Sequence, residues 1–342
     1  MTRVLAIADD LTGALEAGAR FSSAGLTSVV TVRAWQEFPD PVVVLDTETR
    51  HLSATDAGEV IEACAGGWPG LIYKKTDSTL RGNIGAELRA LERLYNGPIA
   101  YVPAYPELGR TVVDGVVHVE GVPLHETPFA RDALNPVRDG RVSSVLDTES
   151  RCVVFDARDS ADVREAARVI LQSSRYRIVA GPAAIAGALA EELGPGARPA
   201  LPAIDRCLVV NGSRSHVSSC QIECALRCGI IARNPDAAWR LFDWEIPPDA
   251  DPLQVAAETG RRVHCLLDEK PFDAVLVFGG DTAFGFLKSI GLPPLRPLCE
   301  IVPGVPVSRI DGRRELLITK AGGFGAPELL ANLRIICTGN GQ

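Results

Sequence analysis

Long hydrophobic runs are absent from this sequence of 342 residues. No apolar stretch approaches the roughly 20 residues that a membrane-spanning helix requires, which argues against an integral membrane protein. Near the amino terminus, Asp9 and Asp10 interrupt a short apolar run, and no small-residue cleavage site follows. We therefore interpret Val4–Ala8 as a buried first strand rather than the core of a signal peptide.

An excess of positive charge is also missing. Lys and Arg number 35 against 43 Asp and Glu, which gives a formal net charge of −8. Nucleic acids and anionic membrane surfaces favour proteins of the opposite sign, so we expect neither as a partner. This balance still permits a local basic pocket for a small anion.

Cysteine usage argues against a disulfide framework. The nine Cys are odd in number and irregularly spaced, which favours a reducing, cytoplasmic environment. His216, Cys220, Cys224 and Cys228 recur every four residues and would form a stripe along a helix. Four ligands over three turns would span about 18 Å, too far to surround one zinc ion. We therefore predict that this stripe packs a helix against a sheet.

Two common nucleotide-binding motifs are missing. The dipeptide Gly-Lys does not occur, which excludes the phosphate-binding loop of P-loop NTPases. In the segment 323–328, Glu328 stands where the dinucleotide-binding fingerprint has its third glycine. This departure argues against a standard dinucleotide-binding fold.

Apolar, β-branched runs alternate with helical patterns, which indicates an α/β protein with mostly parallel sheets flanked by helices. The predicted strands are 4–8, 28–32, 42–45, 71–74, 99–102, 152–155, 178–180, 208–210, 274–278 and 316–319. The predicted helices are 14–24, 54–65, 84–94, 162–173, 183–193 and 219–229. In such sheets, ligands bind beyond the carboxyl ends of the strands.

The length of the chain favours two domains, because a single core stops growing below this size. The Pro- and Gly-rich segment 194–202 is the best linker candidate, and we place the domains at 1–200 and 204–342. A second irregular segment, 109–144, is too long for a plain loop and is predicted to form a hairpin or a lid.

Acidic residues follow the first predicted strand. Asp9 and Asp10 could accept hydrogen bonds from substrate hydroxyls, and one of them could take the proton of an alcohol during phosphorylation. The alternative is helix capping by Asp10 or Thr12, which accounts for one carboxylate more easily than for two.

The segment 74–83 concentrates charged and hydroxyl groups after another buried strand. Its candidates for binding an anionic, hydroxylated ligand are Lys74, Asp77, Ser78 and Arg81, because Arg matches a carboxylate in bidentate fashion and Asp and Ser suit hydroxyl groups. Arg110 is a further candidate cation, for which an ordinary surface arginine is the alternative.

Several glycine turns follow strands in the second half of the chain. They lie at 211–215, 279–282, 303–304 and 320–325. Adjacent glycines allow the backbone to approach phosphate oxygens with no Cβ in the way. Together the turns predict a phosphate site, although a single one would be a weak signal.

These motifs resemble those of the four-carbon acid sugar kinases, a family long described as a domain of unknown function. The matching residues are 8–14, 75–83, 103–110, 279–282 and 320–325, in the family's order and over nearly the whole chain. The resemblance implies an acid-sugar domain followed by an ATP domain, with the ligand cleft between them. It further implies phosphorylation of the terminal hydroxyl of erythronate, threonate or 3-oxo-tetronate, with ATP and Mg²⁺, by an enzyme that is usually a homodimer.

Site residues follow from the resemblance position by position. Asp9, Asp10, Asp77, Ser78 and Arg81 would contact the acid sugar. The residues that would hold the nucleotide are Ser213, Gly279, Gly280, Asp281, Thr282, Gly304, Gly322, Gly323 and Gly325. Typical members are longer, however, and Arg214 and His216 stand where smaller or hydroxyl residues are commoner.

The resulting hypothesis is in-line transfer of a phosphoryl group, which depends on positioning and charge neutralisation. Arg81, helped by Lys74 or Lys75, would bind the substrate carboxylate. Asp10 or Asp281 would act as the base, and the sequence assigns no metal ligand. The alternatives are a non-catalytic sensor of sugar acids or nucleotides and, less favoured, a hydroxy-acid dehydrogenase.

Overall fold

The computed structural model describes residues 3–32, 38–131, 136–146, 150–194, 196–197, 199–247 and 249–339. The chain forms two compact units, Met1–Arg198 and Pro199–Gln342. Two residues of the predicted linker, Pro195 and Arg198, lie outside the described residues. The assignment of an acid sugar to 1–200 and of a nucleotide to 204–342 stays a prediction.

The first unit is built on a parallel sheet with flanking helices. Its elements are β1 (Val4–Ala8), α1 (Leu11–Ser23), β2 (Ser28–Val32), β3 (Val42–Asp46), α2 (Ala54–Ala65), β4 (Leu71–Lys75), α3 (Ile84–Tyr95), β5 (Ile99–Tyr101), β6 (Arg110–Val113), β7 (Val116–Val119), β8 (Val122–Pro123), β9 (Cys152–Val154), α4 (Ser160–Gln172), β10 (Ile178–Gly181) and α5 (Ala183–Leu193). The large sheet runs in the order β2-β3-β1-β4-β10-β5-β9, and every pair in it is parallel.

The central strands of this sheet are buried along their whole length, as their continuous apolar sequence predicts. In register, Ala8 of β1 lies between Asp46 of β3 and Lys75 of β4. Side chains that follow these three strands therefore meet at one edge of the sheet.

The segment predicted to be a hairpin or lid forms a small antiparallel sheet in the order β6-β7-β8. The hairpin prediction is thus confirmed for the described part of the segment. Residues 132–135 of it lie outside the described residues.

The second unit has a mixed sheet. Its elements are β11 (Cys207–Asn211), α6 (His216–Arg227), β12 (Trp239–Phe242), α7 (Pro252–Glu269), β13 (Ala274–Phe278), α8 (Gly280–Ser289), β14 (Leu295–Val302), β15 (Val305–Ile310), β16 (Leu316–Lys320) and α9 (Leu329–Cys337). The order is β12-β11-β13-β16-β15-β14, in which β12, β11, β13 and β16 are parallel, β15 is antiparallel to β16, and β14 is antiparallel to β15.

The turn of the β14–β15 hairpin lies at the carboxyl edge of the parallel strands in the second sheet. Because β15 runs opposite to β16, it begins where β16 ends. The turn before β15, which contains Gly304, therefore lies at the same edge as the carboxyl ends of β11, β13 and β16.

The prediction that the His and Cys stripe packs α6 against a sheet is wrong. The residues of α6 that are buried are Ser218, Gln221, Ile222 and Ala225, whereas Cys220 and Cys224 are half-buried and Cys228 is exposed. The face of a helix that packs is set by its largest apolar residue, Ile222, and its neighbours at helical spacing. All nine cysteines are free.

Among the described residues, the structure contains no helix that is both long and apolar enough to cross a membrane.

Candidate functional site

Charged side chains gather at the carboxyl edge of the first sheet. Asp9 and Asp10 follow β1, Arg50 lies a few residues after β3, and Asp77 follows β4. Because β3, β1 and β4 are neighbours in the sheet, these residues meet although they are far apart in sequence. We call them, together with Arg81, the acidic cluster.

Arg50 joins three carboxylates of the acidic cluster. Its Nε and Nη2 donate to the two oxygens of Asp9 at 2.8 and 3.0 Å, and its Nη1 donates to Asp10 at 2.5 Å. Asp77 lies 3.8 Å from Nη2. Such bidentate pairing fixes the planes of guanidinium and carboxylate relative to each other.

Asp10 also caps α1. Its second carboxylate oxygen accepts a hydrogen bond from the Gly13 backbone N–H at 3.0 Å, so the capping alternative is confirmed for Asp10. This leaves Asp9, which is buried and bound to Arg50, without a capping role. The two carboxylates thus have different roles: Asp10 caps α1 and contacts Arg50, whereas Asp9 contacts Arg50 without capping the helix.

Asp77 is held from its own loop. Its carboxylate accepts from the Thr79 backbone and hydroxyl at 3.0 and 2.6 Å, and from Nε and Nη2 of Arg81 at 3.0 and 2.8 Å. The Arg81 guanidinium also lies 5.7 Å from the ring centre of Phe129. Arg81 is therefore oriented before any ligand binds.

Ionisation in the cluster follows from these contacts. Burial raises the pKa of Asp77, but the charges of Arg81 and Arg50 outweigh it and hold that pKa well below its usual value. Burial also raises the pKa of Asp9, but the charges of Arg50 and Lys74 outweigh it and hold that pKa below its ordinary value. Burial lowers the pKa of Arg50, but the carboxylates of Asp10 and Asp9 raise it well above its usual value. Asp9, Asp77 and Arg50 are therefore charged at neutral pH.

The lysines of β4 lie beneath the cluster. Lys74 is fully buried, and its Nζ lies 3.0 Å from Glu87, which also accepts from the Thr49 hydroxyl at 2.5 Å. Lys75 lies 3.6 Å from Glu16. Each ammonium group already faces a carboxylate of the protein. We therefore expect the two lysines to stabilise the edge of the sheet rather than to contact a ligand directly.

Two further candidates border the cluster. Ser78 is half-buried between Asp77 and Thr79. Arg110, the first residue of β6, is 7% exposed, and its Nε is buried without a hydrogen-bond partner. Burial lowers the pKa of Arg110, the carboxylate of Glu120 opposes this, and the charges of Asp77 and Arg81 also act on it. Its Nη1 donates to the Leu108 carbonyl, so, among the described residues, Nε is the donor of Arg110 that stays unpaired beside the cluster.

Glycine turns lie together at the carboxyl edge of the second sheet. They follow β11, β13 and β16, which are adjacent and parallel. Gly279 has φ 103°, a conformation open to glycine, and its N–H donates to the Lys320 carbonyl at 3.1 Å. This turn leads directly into α8, so the amino-terminal end of a helix points toward the same edge.

Two of these turns approach so closely that a side chain would not fit. A Cβ on Gly322 would lie 2.2 Å from the hydroxyl oxygen of Ser213, and one on Gly212 would lie 1.8 Å from that of Thr282. Gly304 likewise packs against the Phe324 ring, where a Cβ would lie 2.6 Å from the ring. Close contacts with these side chains therefore favour glycine at these positions.

The turn after β16 is held from one side. We call residues 322–326 the glycine turn. Lys320 Nζ and the Ser218 hydroxyl donate to the Gly322 carbonyl at 3.3 and 3.2 Å. Gln221 Nε2 donates to the carbonyls of residues 324, 325 and 326 at 3.1, 2.9 and 3.1 Å.

This arrangement leaves the opposite side of the glycine turn open. In a trans peptide the C=O and the following N–H point in opposite directions. Since the carbonyls of residues 322, 324 and 325 face α6, the N–H groups of residues 323, 325 and 326 face the other way, and none of these three has an acceptor in the described part of the chain. Convergent free N–H groups form a concavity suited to an anion.

Asp281 lies in the first turn of α8 and is exposed. No hydrogen bond or ion pair holds its carboxylate within the described segments. Over the same residues, no group of three or more His, Cys, Asp or Glu is placed to hold a metal ion.

The structure thus brings the predicted residues together in two groups. In the first unit these are Asp9, Asp10, Lys74, Asp77, Ser78, Arg81 and Arg110; in the second they are Ser213, Gly279, Gly280, Asp281, Thr282, Gly304, Gly322, Gly323 and Gly325. Whether each residue contacts a ligand stays a prediction.

Sequence reasoning missed three residues of these sites. Arg50 follows a predicted strand, so the argument from strand ends could have found it, but no glycine marks the position. Gln221 lies in the middle of α6, where nothing in the sequence distinguishes it from a surface residue. Lys320 stands in the recognised motif, yet its burial without a carboxylate partner was visible only in three dimensions.

Comparison with protein-family models gives two matches. A sugar-binding N-terminal domain matches residues 4–151, and a nucleotide-binding C-terminal domain matches residues 246–330. The first contains the acidic cluster, and the second contains the glycine turn and Gly279.

Relatives match over nearly the whole chain. A D-threonate kinase of Bordetella bronchiseptica is 30% identical over 389 residues, covering 95% of this chain and 95% of that protein. A D-threonate kinase of Salmonella typhimurium is 27% identical over 419 residues, covering 96% and 97%. A D-erythronate kinase of Heliobacterium modesticaldum is 34% identical over 166 residues, covering 44% and 37%. The two long alignments exceed the 342 residues of this chain, so those relatives contain additional segments.

Solved structures share the fold. A Haemophilus influenzae protein superimposes with a TM-score of 0.72 at 20% identity, covering 97% of this chain and 100% of that one. A Bordetella bronchiseptica protein, solved as a domain-swapped dimer with bound citrate, gives a TM-score of 0.50 at 26% identity and covers 98% of each chain.

Proposed function

This chain belongs to the four-carbon acid sugar kinase family, and we propose on that premise that it transfers the γ-phosphoryl group of ATP to the terminal hydroxyl of a four-carbon sugar acid. The observation that carries the proposal is a contrast between the two sheet edges. One edge ends in carboxylates and guanidinium groups, and the other ends in open backbone N–H groups. The first set suits hydroxyls and a carboxylate, and the second suits phosphates.

The acid would bind at the acidic cluster. Arg110, with a buried unpaired Nε, and Arg81, already oriented by Asp77, are the cations proposed to bind the substrate carboxylate. Asp77 and Ser78 would bind hydroxyl groups. The citrate bound to the Bordetella protein, itself a hydroxylated carboxylic acid, supports a site of this chemistry.

The nucleotide phosphates would bind at the glycine turn and the start of α8. Gly322, Gly323 and Gly325 would provide N–H donors, as would Gly280 at the helix amino terminus. Ser213, which touches Gly322, would add a hydroxyl. We propose no adenine or ribose contacts.

Mg²⁺ fits this site only as part of the bound nucleotide. The described residues offer no cluster of three acidic or imidazole ligands, and Mg²⁺ commonly keeps water and phosphate oxygens as ligands. When bound, it would neutralise charge on the phosphates during transfer. The protein's own task would be to orient the phosphates and exclude water.

Two carboxylates remain candidates for the base. Both oxygens of Asp10 are occupied, one by Arg50 and one by the Gly13 N–H. Asp281 is exposed and makes no such contacts. The contact pattern therefore favours Asp281 for taking a proton and Asp10 for orienting a substrate hydroxyl.

D-Threonate is the substrate that we propose to test first, because three relatives that match over nearly the full length are D-threonate kinases, against two that are 3-oxo-tetronate kinases. D-Erythronate and 3-oxo-tetronate follow. A homodimer is also proposed, supported by the dimer of the Bordetella protein.

The test is an ADP-release assay with Mg·ATP and these acids, with the product identified by phosphorus NMR. We expect phosphate-monoester formation with at least one acid. Tight binding of an acid without turnover would favour the sensor alternative, and an absorbance change with a nicotinamide cofactor would favour the dehydrogenase.

A further inference from the structure

One buried cation in the second unit lacks an anionic partner. Lys320, the last residue of β16, is 0% exposed. No carboxylate forms an ion pair with it in the described portion of the chain, and its Nζ has one acceptor, the Gly322 carbonyl at 3.3 Å. The rings of Phe278 and Phe324 lie 5.2 and 5.0 Å from Nζ.

Such an environment disfavours a permanent charge. A buried ammonium group without a carboxylate loses its hydration and gains little in return. Burial accordingly lowers the pKa of Lys320 to about 7. A leucine or methionine would fit between two aromatic rings at no electrostatic cost, so the lysine suggests a negative charge that is not part of the protein.

The position of Lys320 indicates where that charge would lie. Its Nζ holds the Gly322 carbonyl from beneath the glycine turn, and the Gly323 N–H on the same peptide points to the opposite, open side. An anion bound by those N–H groups would be separated from the ammonium group by the thickness of the turn. At that range, in a largely apolar surrounding, charges interact strongly.

We propose that Lys320 supplies the positive charge of the nucleotide-phosphate site from beneath the glycine turn, and that it takes up a proton when the nucleotide binds. This inference rests on the proposed kinase function and assigns the residue a positioning and electrostatic role. Lys320 does not react with the substrate.

Proton uptake follows from linkage. A bound phosphate favours the charged form of Lys320, so it raises the pKa of that group toward and beyond its ordinary value. The titratable and charged side chains on the elements around the turn include Arg214, His216, Glu223, Asp281, Glu300 and Glu328. None of them shifts the pKa of Lys320, for which burial is the sole cause. The nucleotide phosphates would therefore be the first charge to act on it.

The experiment is calorimetric titration of the full chain with Mg·ADP at pH 8, in buffers of different ionisation enthalpy. We expect the wild-type protein to take up about 0.9 proton, because a group with a pKa near 7 is about one-tenth protonated at that pH. Lys320→Met should bind ADP without proton uptake and at least about tenfold more weakly. Lys320→Arg, which stays charged, should bind ADP tightly without uptake.

A merely structural lysine gives a different set of results. If its role is structural, Lys320→Met lowers the melting temperature of the ligand-free protein; on our account it does not, because Met replaces a buried amine that has no carboxylate partner in the described part of the chain. Wild-type binding without proton uptake, with equal affinity in Lys320→Met, would overturn the proposal for Lys320 and leave the kinase function standing. Wild-type protein that binds no nucleotide would overturn both.

Discussion

On the proposed function, the two sheet edges both bind an anion, but they do so with different groups. In the first unit, Arg50 and Arg81 are paired with Asp9, Asp10 and Asp77 before a ligand arrives. In the second unit, the glycine turn presents backbone N–H groups, and the nearby cation, Lys320, lies buried beneath them. A sugar acid has hydroxyls and a carboxylate at fixed positions, so it requires directed side chains, whereas a phosphate chain accepts convergent N–H donors.

This difference has a consequence for mutation. The acidic cluster depends on charge balance, so removal of one partner leaves other buried charges uncompensated. The glycine turn packs closely against neighbouring side chains, so the methyl group of a single alanine is enough to disturb it. The variants below test these two dependences, in order of expected effect.

The largest effect is expected for Arg50→Ala. It would leave the carboxylates of Asp9 and Asp10 without their partner, so we expect the free energy of unfolding to fall by about 3–5 kcal/mol and activity to be lost. Urea denaturation measures the change. The matched control is Arg233→Ala, which removes an exposed ion pair with Asp243 and should change stability little. Equal losses in the two variants would show that the cluster carries no special dependence on charge balance.

Gly322→Ala comes next. Its Cβ would lie 2.2 Å from the Ser213 hydroxyl oxygen, so the glycine turn or the Ser213 side chain must shift, and both belong to the proposed phosphate site. We expect the KM for ATP to rise by about tenfold to a hundredfold, with a much smaller change in the KM for the acid. Steady-state kinetics with each substrate varied in turn provide the measurement. Gly97→Ala, where the nearest atom to the new Cβ is 3.7 Å away, serves as control. An unchanged KM for ATP would contradict the role of the turn.

Arg81→Ala tests the first unit in the same way as Gly322→Ala tests the second. Because Arg81 lies in the acidic cluster and bonds Asp77, its loss should raise the KM for the sugar acid about tenfold or more and leave the KM for ATP nearly unchanged. The same kinetic assay reports both values. The reverse pattern would overturn the assignment of the acid to the first unit.

The smallest effect concerns pH. The pKa of Asp77 in the folded protein lies well below its usual value, and the unfolded value is about 3.9. The folded state therefore binds fewer protons, and the stabilisation is present above the unfolded pKa and lost as pH falls through the folded pKa. Asp77→Asn should flatten the decline of unfolding free energy below pH 4, by at most about 1.4 kcal/mol per pH unit. Identical acid slopes in wild type and variant would refute this.

Sequence patterns predicted the scaffold of both edges well, for a physical reason. Strands buried on both faces, such as β1 and β13, are continuous apolar runs, and the turns after them carry the motifs. The strand β12, the helix α7 and the β14–β15 hairpin were not predicted. The sequence of β14 alternates buried and half-buried residues and contains Pro297, so it resembles a loop as much as a strand.

The details of the site were less accessible to sequence reasoning. Arg81 was expected to be available to the substrate carboxylate, but its preference for Asp77 depends on the loop geometry that brings Thr79 to the same carboxylate. The pairing of Lys74 with Glu87, and the three hydrogen bonds from Gln221 to the glycine turn, join residues far apart in the sequence. No local pattern encodes such contacts.

The most direct test of the account is hydrogen–deuterium exchange of backbone amides, measured by mass spectrometry with each ligand added separately. Mg·ADP should slow exchange in peptides covering 279–282 and 322–326 and leave 76–83 unchanged. The sugar acid should slow exchange at 76–83 and leave the glycine turn unchanged. Protection of the glycine turn by the acid, or of 76–83 by ADP alone, would contradict the division of labour between the two units.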